Sequence, residues 1–444
     1  MKRARTAVVA SLSTAALLAL AAPAGSAAPP GSDGEESRAP AGTVLDNFKF
    51  VGHSPLDGFN DYGDLYAHGD FAYVGSRCSP TAQGGAGVQV VDISQPKHPR
   101  LVSELPNPPF TRAEDVTVLD VRTPTFTGAL AVVGIQACFN SGHEAEVVPG
   151  VRLFDVTRPG RPALLAHWDL PQGTIGCHEI DAVQRRDGAV LVACARNLID
   201  HQRSNGATAL HLIDATDPAN PRTAADWTLN AAPGTGVGCL AAQFAHSARF
   251  TDGGNSVYVS YWDAGTVHLD ITTPGAPAVV GTTRIAPPDE DADNHSMTLA
   301  NDGAWLIINT EDFSPGDCEE SAFGGWGEVY IYDNTNPAQP AFLGTFSTPN
   351  SRSTRTDGAY TDHNTEVTGR DQFFSSWYSD GIVWWTMTGS GITRQRGQFV
   401  PPPRPDGSPA SVWGVYIDSA HDLILASDTR TGLWIAKPKG LNDF

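Results

Sequence analysis

Five times in this chain a short β-branched run ends in Asp and is followed, four and seven residues later, by Pro: Asp92 with Pro96 and Pro99, Asp155 with Pro159 and Pro162, Asp214 with Pro218 and Pro221, Asp270 with Pro274 and Pro277, Asp333 with Pro337 and Pro340. The spacing has a physical cause. An Asp, and the Ser or Thr two residues on, fold back on the backbone as side-chain turns. The first Pro presets φ for the turn, and the second opens an edge strand that needs no donor. Two further runs, Ile382 to Met387 and Leu433 to Ala436, share the strand pattern of Val88 to Ile93, Val151 to Val156, Leu210 to Ala215, Val267 to Ile271 and Val329 to Asp333 but lack the connector. That makes seven copies of one unit.

The unit is read most easily from Phe244 to Thr283. A strand around Ala245 to Phe250 turns at Asp252-Gly253-Gly254 into the alternating run Ser256 to Tyr261. A second turn at Asp263-Ala264-Gly265 leads to Val267 to Ile271, and the connector delivers the chain to Ala278 to Thr283. Four antiparallel strands that cannot cover their own apolar face must stack on neighbours, and radial stacking gives an all-β, seven-bladed β-propeller. Residues 44–444 shared among seven repeats give about 57 residues per blade. The seventh repeat stops at Ile435 to Lys437 with no fourth strand behind it, whereas Asn47 to Val51 is a strand without a hairpin partner. The N-terminal strand is therefore expected to close the last blade.

The runs VQVVDISQPKHP, VRLFDVTRPGRP and LHLIDATDPANP resemble the LVIVD repeat of bacterial surface and secreted proteins, which forms β-propellers. The resemblance is specific for five blades. It implies a fold and little of function, since a propeller hosts many unrelated activities.

Aligning the opening strands places Gly63, Glu114, His178, His246, His295, His363 and Trp413 at one equivalent position. Asp64, Asp115, Glu179, Ser247, Ser296, Asn364 and Gly414 follow at the next. With 13 His in 444 residues, four in seven aligned places point to a retained use. The first strand of a blade lines the channel, so the four imidazoles are expected to converge at one mouth and to ligate a transition metal such as Cu, Fe, Zn or Mn. Glu114 is expected across from the ring or behind one of its members, to orient an imidazole or move a proton. The competing reading is a set of polar side chains lining a water-filled channel. Four His on a propeller axis are similar to the non-haem iron site of carotenoid oxygenases. The run SVYVSYWDAGTVHLDITTPGAP resembles the selenium-binding protein and methanethiol oxidase propellers. These resemblances imply an axial metal and name no substrate.

Lys2, Arg3 and Arg5 followed by the apolar run Ala7 to Ala22 and small residues through Ala28 read as a secretory signal peptide, and residues 29–43 as a disordered tether. No other stretch approaches membrane length, so no membrane span is expected. A formal charge of −20 argues against nucleic acid and anionic lipid as partners. The protein is expected outside the cell, as a monomer. Six Cys in such a chain favour disulfides: Cys177 with Cys194 as cross-strand neighbours, Cys78 with Cys138 and Cys239 with Cys318 across long loops. A Cys metal site is the alternative, without any C-x-x-C pair to support it. The run Asp289 to Asp293 reads as a Ca²⁺ loop or, more simply, a solvated acidic loop. No G-x-S-x-G, P-loop, H-E-x-x-H or dinucleotide fingerprint occurs. Two functions fit: a secreted metal-binding propeller working as an oxidase, oxygenase or lyase on a small molecule, or a metal-free scaffold for an extracellular protein or glycan at the His face.

Overall fold

The computed structural model describes residues 37–58, 61–78, 87–139, 141–196, 209–229, 244–283, 293–313 and 325–441. The proposed signal segment, most of the tether, Cys239, Cys318 and residues 289–292 of the acidic run lie outside them. Among the described residues the strands form seven antiparallel sheets. Blade 1 is built from Tyr62–His68, Phe71–Ser76, Val88–Asp92 and Arg100–Leu105. Blades 3, 4 and 5 repeat it, opening on Cys177–Gln184, Ser247–Thr251 and Asn294–Ala300. Blade 2 opens on Val116–Arg122, which pairs with the long strand Thr127–Ala137, and the short strand Thr111–Arg112 pairs with the far end of that same strand.

The connector works as its sequence requires. In all five copies the Asp Oδ1 accepts the backbone N–H two residues on, at 3.0 Å from Ser94, 2.9 Å from Thr157 and Thr216, 2.8 Å from Thr272 and 2.9 Å from Thr335. Third strands are buried almost throughout, while fourth strands such as Arg222–Trp227 and Ala341–Phe346 are exposed or half-buried along most of their length. Apolar contact is made between blades rather than within them. Leu191, Ala193, Leu210 and Leu212 of blade 3 pack on Ala248, Val257, Val259 and Leu269 of blade 4. Val74 and Val91 of blade 1 pack in the same way on Leu425 and Ile435 of blade 7. The pair Trp384-Trp385 sits in two such seams, one toward blade 7 and one toward blade 5.

The ring closes at the N-terminal segment, which divides in two. Phe48–Ser54 is the outer strand of blade 7, with Phe48 opposite Pro438 and Ser54 opposite Leu433. The preceding Val44–Asp46 adds a fifth strand to blade 6, with Val44 opposite Val400. The strand expected at Asn47 to Val51 is Phe48–Ser54, and Val44–Asp46 is a further strand ahead of it, because Asn47 turns at φ 54° between them and its Nδ2 donates to the Arg396 carbonyl. Each half covers an edge that would otherwise be open to another chain.

Candidate metal centre

Each inner strand carries an extra residue at its start, and that irregularity aims the site. In blade 3 Cys177 faces Arg196 and Ile180 faces Cys194, so His178 and Glu179 together oppose one residue. The same shift sets His295 in blade 5 and Trp413 in blade 7 outside the ladder. In blade 4 both His246 and Ser247 pair with Ser260, and in blade 6 both His363 and Asn364 with Ser376. Such a β-bulge bends the strand and re-aims its side chain, here toward the axis. In blade 7 the second position has to be Gly414, since a Cβ there would lie 2.3 Å from Asp64 Oδ1.

The four histidines stand side by side in blade order. Ring centroids are 4.3 Å apart for His178 and His246, 4.2 Å for His246 and His295, and 4.0 Å for His295 and His363. Trp413 continues the arc 4.6 Å beyond His363. All four imidazoles are buried, His295 and His363 at 0% and 1% exposure. Burial is the main reason that each is held well below its ordinary pKa, with the neighbouring imidazoles and, for His178, His246 and His363, nearby arginines adding to it. They are neutral, with lone pairs available.

Two carboxylates complete the ring. Glu179 Oε1 lies 3.7 Å from His246 Nδ1 and 3.4 Å from His295 Nε2. Glu311 reaches His295 Nε2 at 3.7 Å and His363 Nε2 at 3.8 Å, and accepts a hydrogen bond from Tyr378. Three overlapping groups therefore have ligand atoms within 4.8 Å of one another: His178, Glu179, His246; Glu179, His295, His363; and His246, His295, Glu311. Each can hold a metal ion with two imidazoles and one carboxylate. Burial pushes Glu179 well above the ordinary carboxylate range and Glu311 up to about 8, a cost that a cation among them would reverse.

Glu114 stands behind His178 rather than in the ring. Its Oε2 pairs with Arg112 Nη1 at 2.8 Å and lies 3.9 Å from His178 Nδ1. Arg112 also holds Gln136 Oε1 at 2.7 Å and approaches His178 Nδ1 at 3.3 Å. The alignment of opening strands passes over Glu311 because that residue belongs to the following turn. A second alignment finds it: Arg77, Gln136, Trp262, Glu311 and Tyr378 each lie two residues past the second-strand residue that faces a bulge. All five touch the ring or its flanks, Trp262 stacking on His246 at 5.0 Å and Arg77 over Trp413 at 4.2 Å. Trp262 and Tyr378 do so from positive φ, 27° and 37°, a conformation that bulky residues rarely adopt.

Two disulfides flank this mouth. Cys177 and Cys194 lock the blade 3 hairpin beside His178, and Cys78 and Cys138 tie blade 1 to blade 2. Such bonds are consistent with an extracellular protein. Among the described residues no helix is long and apolar enough to cross a membrane.

Residues 61–105, which make up blade 1, match the family model of the LVIVD repeat. No curated protein sequence matches the chain. Among solved structures the chain is similar to the β-propeller domain of Cps50 (Swd1) from Myceliophteria thermophila, with 12% sequence identity, a TM-score of 0.52, and coverage of 85% of this chain and 97% of that one. At that identity the likeness carries the fold alone.

Proposed function

We propose that this LVIVD-repeat propeller is a secreted metal-binding protein whose ring of His178, His246, His295 and His363, completed by Glu179 and Glu311, holds a transition-metal ion at one end of the channel. The observation that carries the reading is an unmet need. Both ring nitrogens of His295 and both of His363 are buried without a hydrogen-bond partner, and so is His246 Nδ1. The backbone of the next ring residue lies near enough to raise each imidazole a little, yet no hydrogen bond of ordinary geometry reaches these atoms. An orphaned buried polar group costs about 1–3 kcal/mol, and a side-by-side row of them is expensive unless something ligates it. Imidazole with carboxylate suits Zn, Cu, Fe and Mn. Such an ion supplies Lewis acidity or, for Cu, Fe and Mn, electron transfer. The chain's own residues keep the imidazoles neutral by burial, and Arg112, Gln136 and Glu114 fix the orientation of His178 from behind.

The test is metal analysis of mature protein purified without chelator, alongside His246→Ala and His295→Ala. One equivalent of a first-row metal, lost in both variants, is expected. A wild-type protein without stoichiometric metal, in which neither substitution alters metal uptake or thermal stability in added Cu, Zn, Fe or Mn, would make the ring a polar channel lining. The extracellular scaffold would then be the better reading.

A further inference from the structure

Further along the same inner strands lies a second feature that the His ring does not use. A cavity of about 660 Å³ is lined by residues one to six places beyond the ring positions, from Asp64, Asp115 and Asp181 to Gly369 and Ser419. At about 3.3 Å per residue its centre is roughly 10 Å down the channel from the imidazoles. The volume is that of a small organic ligand rather than of a bare ion.

Its charge is one-sided. Asp64, Asp115, Asp181 and Glu366 line it together with a single cation, Arg249. Arg249 is shared between the ring and the cavity: it donates to the Ile180 carbonyl at 3.1 Å and lies 3.6 Å from Glu179 Oε2, and its charge also acts on Asp115, Asp181 and Asp64, which leaves four carboxylates to one guanidinium. The aspartates are held by the backbone of their own or the next blade: Asp64 Oδ1 accepts from Leu65 N at 2.8 Å, Asp115 Oδ2 from Ile180 N at 2.7 Å, and Asp181 Oδ2 from Phe250 N at 2.7 Å. They are fixed in place before any ligand arrives.

An independent observation says what is missing. Asn364, 8% exposed, lines the cavity, and its Nδ2 donates to Asp64 Oδ2 at 2.7 Å while its Oδ1 has no partner. A buried acceptor beside Asp64 lacks a donor. Tyr66 and Tyr416, with ring centroids 4.8 Å apart, form part of the wall and offer faces to a cation and its methylenes. We propose that this cavity binds a small organic ammonium compound, its N–H groups shared among Asn364 Oδ1, Asp64 and Glu366, and its carbon skeleton against Tyr66 and Tyr416. Burial pushes Asp64 up to about 8 and Glu366 to about 7. A bound ammonium stabilises their ionised forms, so occupancy releases protons. The site is separate from the His ring and does not depend on a metal there.

The experiment is isothermal titration of the mature protein, in the presence of EDTA, with ethanolamine, putrescine and benzylamine. Benzyl alcohol serves as the neutral match. At least one amine is expected to bind with a millimolar or better dissociation constant, with proton release that varies with the buffer, and benzyl alcohol at least about tenfold more weakly. Glu366→Gln and Asp64→Asn should each weaken the amine about tenfold or more, while His246→Ala leaves it unchanged. The proposal is overturned if none of the three amines binds at concentrations up to about 10 mM, or if the two carboxylate variants, shown folded by circular dichroism, bind as the wild type does. It is equally overturned if, without EDTA, Ca²⁺ occupies the site through the same carboxylates and amines do not compete with it.

Discussion

His178 Nε2 lies 3.0 Å from His246 Nε2, so one neutral imidazole gives a proton to the other. His178 Nδ1 faces a donor, Arg112 Nη2 at 3.3 Å, and an acceptor, Gln136 Oε1 at 3.1 Å, so the direction of the His178–His246 bond follows the His178 tautomer. His246 Nδ1 faces Glu179 at 3.7 Å. A metal ion taken by these two nitrogens displaces that shared proton. Because burial holds all four histidines well below 6.5, protons compete poorly for the imidazole ligands, whatever Glu179 and Glu311 do. Metal should therefore stay bound on dialysis to pH values below 6.5, where exposed His clusters release it. The check is metal content after stepped acidification, and loss already complete above that pH would contradict the reading.

Closure of the ring rests on one aromatic side chain. Phe48 is fully buried, with Phe374, Trp384 and Phe399 each 6.3 Å away between ring centroids. Phe48→Ala should cost about 3–5 kcal/mol in urea unfolding. The exposed neighbour Lys49→Ala should cost less than about 0.5 kcal/mol.

Cys177, Cys194, Cys78 and Cys138 should resist alkylation in the denatured, unreduced protein. The two bonds should not be equal in weight. Cys78 and Cys138 are 60 residues apart and Cys177 and Cys194 only 17, so the longer loop constrains the unfolded chain by about 1 kcal/mol more. Paired Cys→Ala variants compared by denaturant titration decide this. A larger loss from the shorter loop would place the effect in packing instead.

Asp64 gives a pH dependence with a definite sign. Its folded pKa is pushed up to about 8, first by burial and then by Asp115, so its favourable contribution is complete below its unfolded value and fades as pH rises toward 8. Asp64→Asn should therefore gain stability relative to the wild type across pH 4 to 8, by at least about 1 kcal/mol at the upper end. Urea midpoints at several pH values measure it, and a gap that is constant with pH would remove the argument.

Blade number, connector turns and ring closure were legible because each is encoded locally. An Asp two residues before Ser or Thr makes the same turn wherever it occurs, and a seventh repeat without a fourth strand needs Phe48–Ser54. The histidines were legible because aligned repeats place aligned side chains at one height. Glu311 was not, since its role comes from a turn brought beside His295 and His363 by two different blades. The split of the N-terminal segment at Asn47 was also hidden. Asn47 to Val51 reads as the strand, and only the open edge of blade 6 makes Val44–Asp46 another. The acidic cavity was hidden for another reason: Asp64 and Asp115 share the aligned position after the ring, and Asp181 and Glu366 the one two places further, but those positions carry mixed residue types around the seven blades and single out no use.

The N-terminal segment that bridges blades 6 and 7 also sets a timetable. On a chain made from its N-terminus, Phe48–Ser54 emerges nearly four hundred residues before the strand it pairs with, Gly432–Pro438. Blades 1 to 5 can stack as they appear, each on the one before. The circle cannot be sealed until that partner strand has been made, and during the wait a hydrophobic strand carrying Phe48 and Phe50 stands unpaired. Translocation across a membrane in an extended state would postpone all pairing until both strands are on the same side, where they can meet without delay.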